Sequence, residues 1–409
     1  MARIREFRGL RPARELASRV AELPYDVLSS GEAAEIARDN PYSFFHISKP
    51  EIDLPHVANP HDARVYETAR QNLERFRAEG ILRLDEAPRL YLYTQVMGGR
   101  PQTGLVACAH IDDYRSGVIK RHELTREDKE IDRSRHLDVL NANAGPVFLF
   151  YREDGSKRAL FERASTLEPE YDFLAPDGVR HILRVVEDAG LIESFKRSLA
   201  GETLYIADGH HRAASAVRVG GARAAKNPHH TGNEEYNWFL SVIFPHSELR
   251  ILPYNRVLRD LNGLSERQFM EKLEERFSVT QSDSKEPEAP HVFCLYLGGR
   301  WHRLVPRRMP VEDVIKSLDV SILQDEVLAP ILGIDDPRRS TRIEFVGGIR
   351  GVEELERLVD GGAFRAAFSM HPTTIEQLMG VSDSGAIMPP KSTWFEPKLR
   401  SGIVLHLLD

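Results

Sequence analysis

Three features of this sequence predict a mixed α/β protein of the α+β kind with more than one domain. At 409 residues the chain is longer than a single hydrophobic core ordinarily serves. Strand-like apolar runs and stretches of helical periodicity both recur along its length. Two pairs of those strands flank Gly-Gly turns, which is the chemistry of antiparallel hairpins. The expected division is a catalytic region over residues 1–245 and a C-terminal α/β region over 246–409 that closes the site.

The elements follow in order. Leu23-Pro24-Tyr25-Asp26-Val27 is a turn, after which Ser29 and Ser30 offer N-caps to a helix over Gly31–Asn40 that stops before Pro41. Tyr42 to Ser48 reads as a strand, and Ala63 to Glu79 as a helix ended by Gly80. Tyr91–Val96 and Thr103–Ala109 form a hairpin around Gly98-Gly99, with a loop expected to exceed the minimal one. Val292–Leu297 and Trp301–Leu304 repeat that arrangement around Gly298-Gly299. Both turns read Gly-Gly-Arg, a shared turn chemistry rather than an internal duplication. The charge-dense stretch Lys120 to His136 reads as a loop between strands, with a solvated charged helix as the alternative. Gly145 to Tyr151 returns the chain to the interior, and Asn237–Phe244 and Leu252–Leu258 are further strands. Residues 281–290, QSDSKEPEAP, form a linker or a long loop. Helices at Val352–Val359 and Thr374–Val381 then mix with strands at Ala366–Met370 and Ile403–Leu407.

A net charge of -7, with both signs scattered along the chain, argues against a general nucleic-acid binder. The two cysteines, Cys108 and Cys294, lie far apart in apolar runs and read as buried small hydrophobes of a reducing compartment. The N-terminal residues carry arginines but no apolar h-region, and nowhere do about 18 apolar residues follow one another. A cytoplasmic protein with no membrane partner is expected.

The chemistry concentrates at Thr203–Val219, TLYIADGHHRAASAVRV, where a short apolar strand runs into Asp-Gly-His-His-Arg and an alanine-rich helix. Backbone N–H groups at the helix start, two imidazoles and a guanidinium suit a phosphate. Gly209 lets the backbone approach the ligand, His210 and His211 donate, and Arg212 supplies a bidentate charge. Asp208 faces a magnesium ion or the attacking nucleophile, or is merely the helix N-cap. In the second cluster Glu123, beside His122, is a candidate general base, and Lys120 a candidate phosphate ligand. Stiff prolines flank Lys391, Ser392 and Thr393, and Tyr25 and Asp26 lie in a turn; these five are candidate substrate contacts. Zinc is disfavoured by the lack of paired cysteines at ligand spacing and of an HExxH string. Neither a GxxxxGK[ST] loop nor a GxGxxG after a strand occurs.

The strings NPYSFFHISKPEIDLP, IKRHELTREDKEIDR, LYIADGHHRAASA, EEYNWFLSVIFP and MPPKSTWFEPKLRSG resemble a bacterial family catalogued as domain of unknown function 1015. The turn Asp208–Arg212 also resembles the phosphate-binding turn of the ParB/sulfiredoxin-like fold, which includes free serine kinases. That resemblance implies a ParB/sulfiredoxin-like core, with Asp208, Gly209, His210, His211 and Arg212 around the donor phosphate and Glu123 as base. It excludes sulfinic-acid reduction, because His210 stands where sulfiredoxins carry their reactive cysteine.

The expectation is therefore a kinase that phosphorylates the hydroxyl of free L-serine, with ATP, ADP or pyrophosphate as donor and Mg2+ at Asp208. Glu123, Asp208 and His211 would be catalytic, and Gly209, His210, Arg212, Lys120 and His122 would hold phosphate. The alternatives are a ParB-like nucleotide-binding regulatory or DNA-associated module and a phosphate-ester hydrolase using the same turn.

Overall fold

The computed structural model describes residues 2–309 and 313–409, which form two compact units. One comprises residues up to Leu249 together with Pro397–Asp409, the other Arg250–Glu396. The architecture is mixed α/β with several sheets.

In the first unit, helices α1 (Ser30–Ala37) and α2 (Ala63–Ala78) precede strands β1 (Leu90–Met97), β2 (Arg100–His110) and β3 (Ile119–Lys120). Helix α3 (Glu127–Leu140), strands β4 (Val147–Tyr151), β5 (Pro169–Leu174) and β6 (Arg180–Val186), helix α4 (Ala189–Leu199), β7 (Leu204–Asp208), α5 (His210–Lys226) and β8 (Trp238–Pro245) follow. The strands build a nine-stranded sheet in the order β3-β7-β4-β8-β2-β1-β6-β5, with Ile4–Arg5 added against β2. It is a mixed sheet: β7 runs parallel to β3 and β8 parallel to β4, while the other pairs are antiparallel. Leu105, Ala107, Leu149, Phe195, Phe239 and Ile243, all fully buried, anchor its core. Each of the larger ones contributes about 1.5–3 kcal/mol by leaving water. Ala213, Ala216 and Val219 turn the small-residue face of α5 onto that core.

A four-stranded sheet joins Leu82–Leu84, Gly9–Pro12, Leu405–Leu407 and Ala142–Asn143, so the last strand of the chain is paired inside the first unit.

The second unit contains β9 (Tyr254–Leu258), α6 (Glu266–Glu274), β10 (Phe277–Gln281), β11 (Phe293–Leu297), β12 (Arg300–Pro306), β13 (Ile343–Gly347), α7 (Glu353–Asp360), β14 (Ala366–Met370) and α8 (Ile375–Asp383). Its six strands pair antiparallel in the order β10-β12-β11-β14-β9-β13. Val257, Tyr296, Leu355 and Ala367 pack in the core between sheet and α7.

Three expectations are corrected. Tyr42–Ser48 is not a strand: it holds a helical turn, Phe45–Ser48, because Phe44 and Ile47 enter one core cluster and Phe45 another. Both Gly-Gly loops are minimal, with Met97 paired to Arg100 and Leu297 to Arg300, since the two glycines supply the positive φ that a two-residue turn demands. The stretch expected as a loop is helical from Glu127, because Arg218–Glu130 and Arg223–Asp138 ion pairs fasten it along α5 while His136, Leu137 and Leu140 turn inward. Residues 281–290 join two strands within the second unit.

Candidate functional site

The site grows from the end of β7. Leu204 to Ala207 are buried, and a register shift between Ile206 and Asp208 against β4 twists the strand at its last residue. Gly209 then turns the chain at φ 92°, a left-handed conformation that favours glycine, and serves as N-cap of α5 without a side-chain cap bond. A Cβ here would lie 3.1 Å from Cζ and Nε of Arg212, so the guanidinium folds back over the glycine.

Arg212 donates from one terminal nitrogen to the Pro146 carbonyl, approaches Asp208 Oδ1 at 3.5 Å, and keeps its Nε buried without a hydrogen-bond partner among the described residues. The other carboxylate oxygen of Asp208 accepts from Lys398 Nζ at 3.0 Å. Burial opposes ionisation of Asp208, but Lys398 and Arg212 outweigh it and hold the carboxyl well below its usual range. Lys398 stands inside the proline-rich string singled out in the sequence, yet nothing local marks it as the counter-ion of Asp208. A cationic side chain thus stands at each oxygen of Asp208.

His122 and His210, both buried, meet edge to face with ring centroids 4.5 Å apart. Burial pushes His122 down to about 4, and burial and His122 together push His210 well below the usual imidazole range. The half-exposed Glu123 carboxylate lies 3.8 Å from His210 Nδ1, and the Nε2 of His210 is buried without a partner among the described residues.

His211 has a different environment. Its Nε2 accepts the N–H of Arg126, the N-cap residue of α3, at 3.1 Å, so the ring ties two helix starts together. Lys120 Nζ stands 5.9 Å from the Tyr205 ring centre. Arg133 lies over the Tyr25 ring at 4.2 Å, while Asp26 is exposed and acts on His211 through its charge.

A pocket of about 50 Å³ adjoins these groups, lined among others by Tyr25, Arg133, Gly145, Arg212, Ser215 and Ser401. Tyr25 and Arg212 were candidates from the sequence. Arg133 and Ser215 were not, because only the pairing of α3 with α5 brings them together; Ser215 Oγ donates to the Glu130 carbonyl at 3.1 Å. Lys391, Ser392 and Thr393 belong to the second unit, where the Lys391 carbonyl accepts from Arg256 and Ser392 Oγ donates to the Pro389 carbonyl at 2.6 Å.

Fold and site together define a mixed α/β protein in which a glycine joins a sheet strand directly to the helix His210–Lys226. The chain belongs to the family described as protein of unknown function (DUF1015), whose model matches residues 4–321. A comparison with curated proteins returned no match. Among solved structures, the chain is similar to a free serine kinase in complex with AMP, at 14% identity and TM-score 0.36, covering 71% of this chain and 86% of that one. It is also similar to a conserved hypothetical protein from Pyrococcus furiosus, at 15% identity and TM-score 0.36, covering 74% and 95%. A C-terminally truncated SbnI from Staphylococcus aureus aligns at 12% identity and TM-score 0.36, over 71% and 82%. Among the described residues, no helix is long and apolar enough to cross a membrane.

Proposed function

We propose that this protein transfers a phosphoryl group from a nucleotide or pyrophosphate donor to the hydroxyl of free L-serine, giving O-phosphoserine. One observation carries the reading: among the described residues Arg212 Nε and His210 Nε2 are buried without hydrogen-bond partners, beside a helix start whose N-cap Gly209 supplies no side-chain cap. Buried polar groups are ordinarily satisfied, so their natural complement is an anion with several acceptor oxygens.

In this scheme Arg212, His210, the first-turn N–H groups of α5 and Lys120 meet the phosphate oxygens. Asp208, kept ionised by Lys398, fixes the position of Arg212. Glu123 accepts the hydroxyl proton as the serine oxygen bonds to phosphorus and the bridging P–O bond of the donor breaks. The small pocket between Arg133, Arg212 and Ser215 suits the carboxylate end of an amino acid. Magnesium enters only as the usual companion of the donor phosphates, and no step here depends on it.

The test is a screen of amino acids and small alcohols against ATP, ADP and pyrophosphate, read by mass spectrometry for a gain of about 80 mass units on one acceptor. Asp208→Asn is expected to lose at least ~100-fold in turnover, the range of a removed electrostatic contact, with the fold retained by circular dichroism. Phosphate release that does not need an acceptor would replace the reading with ester hydrolysis. Full activity of Asp208→Asn would remove that residue from the site.

A further inference from the structure

We propose that His122, Glu123 and His210 together bind one divalent transition-metal ion. Each offers one ligand atom, so Glu123 binds through one carboxylate oxygen and keeps the other for the serine proton, and the three atoms lie within 4.8 Å of one another. Donors bound to a common tetrahedral ion at about 2.1 Å sit roughly 3.4 Å apart, so modest side-chain adjustment closes the set.

The second observation is His210 itself. Its side chain is 4% exposed, its Nδ1 is 3.8 Å from Glu123 Oε2, too far for a hydrogen bond, and its Nε2 has no partner among the described residues. Nδ1 is the nitrogen that faces the carboxylate and takes the ion, which fixes the ring N–H on Nε2, the atom buried without a partner among the described residues and free to donate to the proposed phosphate, so both nitrogens of a costly buried ring are satisfied. The imidazole of His122 lies against the same ring at 4.5 Å between centroids, and Glu123 brings the negative charge from the open side.

Two imidazoles and one carboxylate suit zinc, manganese, iron or cobalt, whereas magnesium prefers an all-oxygen shell. Three protein ligands leave coordination positions open. His210 is also the first residue of α5, so the ion would lie at the mouth proposed to take phosphate. That an open position receives a phosphate oxygen rests on the proposed phosphoryl transfer; the binding of the ion does not.

The experiment uses the full chain, stripped with a chelator and then titrated with Mn2+ by electron paramagnetic resonance and with Zn2+ by calorimetry. One equivalent of at least one ion is expected to bind to the parent chain. Glu123→Gln, an exposed and isosteric change, is expected to weaken binding ~10-fold or more, and His210→Ala to abolish it. His229→Ala, at an exposed histidine elsewhere in the unit, is expected to leave binding unchanged. Circular dichroism confirms that each variant is folded, and if His210→Ala is not, Glu123→Gln decides alone. The proposal is overturned if neither ion binds in a 1:1 ratio, if Glu123→Gln binds as tightly as the parent chain, or if His229→Ala loses the ion. An ion that binds as described in a protein that phosphorylates nothing would sink the kinase reading and leave this one standing. Serine phosphorylation with no transition-metal binding would do the reverse.

Discussion

Glu22→Gln is expected to stabilise the first unit above pH 7 and to leave its stability near pH 5 unchanged. Glu22 is 9% exposed, its Oε1 accepts from Ser43 Oγ at 2.6 Å, and its backbone exchanges hydrogen bonds with Ser401 on the pocket rim. Burial pushes its carboxyl from 4.5 up to about 7, against the pull of Ser43, Arg400 and His46. Between those values the folded chain holds a proton that the unfolded chain has released, so stability falls as pH rises through the window. At about 1.4 kcal/mol per pH unit the full loss is roughly 3 kcal/mol. A glutamine keeps an acceptor for Ser43 and has no charge to desolvate. The variant should therefore gain ~2–3 kcal/mol at pH 8, about 5–10 °C in Tm for a unit of this size. Thermal and urea unfolding at pH 5, 6, 7 and 8 measures it. An equal gain at pH 5 and pH 8, or a loss at pH 8, would refute the assignment of that proton.

Three other outcomes are expected. Gly209→Ala forces a left-handed residue and displaces Arg212, which should cost ~1–3 kcal/mol in denaturant unfolding and weaken nucleotide binding by calorimetry. Lys398→Met leaves Asp208 with Arg212 alone; because the carboxylate keeps 26% exposure, the loss should be ~1–2 kcal/mol, below that of a fully buried pair. As the folded pKa of Asp208 lies below its unfolded value, that loss should shrink as pH falls below the ordinary carboxylate range, and Lys398→Met with Asp208→Asn should recover most of it. His211→Ala removes the acceptor of the Arg126 N–H, and faster amide exchange at Arg126 by NMR, with the remainder of α3 unchanged, would confirm the tie.

The junction at Asp208–Arg212 was legible because a buried strand, a glycine and an alanine-rich helix in immediate succession leave one local solution. The hairpins were legible from their Gly-Gly turns, although the apolar runs ending at Val96 and resuming at Thr103 left a longer loop than the paired Met97 and Arg100 allow. Tyr42–Ser48 misled because a short apolar run has no period of its own, and tertiary burial of Phe44 and Ile47 decided for a helical turn. The polar appearance of Lys120–His136 hid a helix whose inward face is visible only once α5 lies beside it. The imidazoles of His122 and His210 stand 88 positions apart in the chain, so rules that look for metal ligands at short spacing pass over them. The pocket-lining Arg133 and Ser215 were invisible for the same reason.

Lys398 reaches Asp208 across 190 positions of sequence. During vectorial synthesis the carboxylate emerges long before its counter-ion, and the whole second unit must leave the ribosome in between. Closing so long a loop is a late event, and contacts of this range slow folding. A nascent chain arrested ahead of Lys398 thus carries the Asp-Gly-His turn but not the cation that steadies its carboxylate.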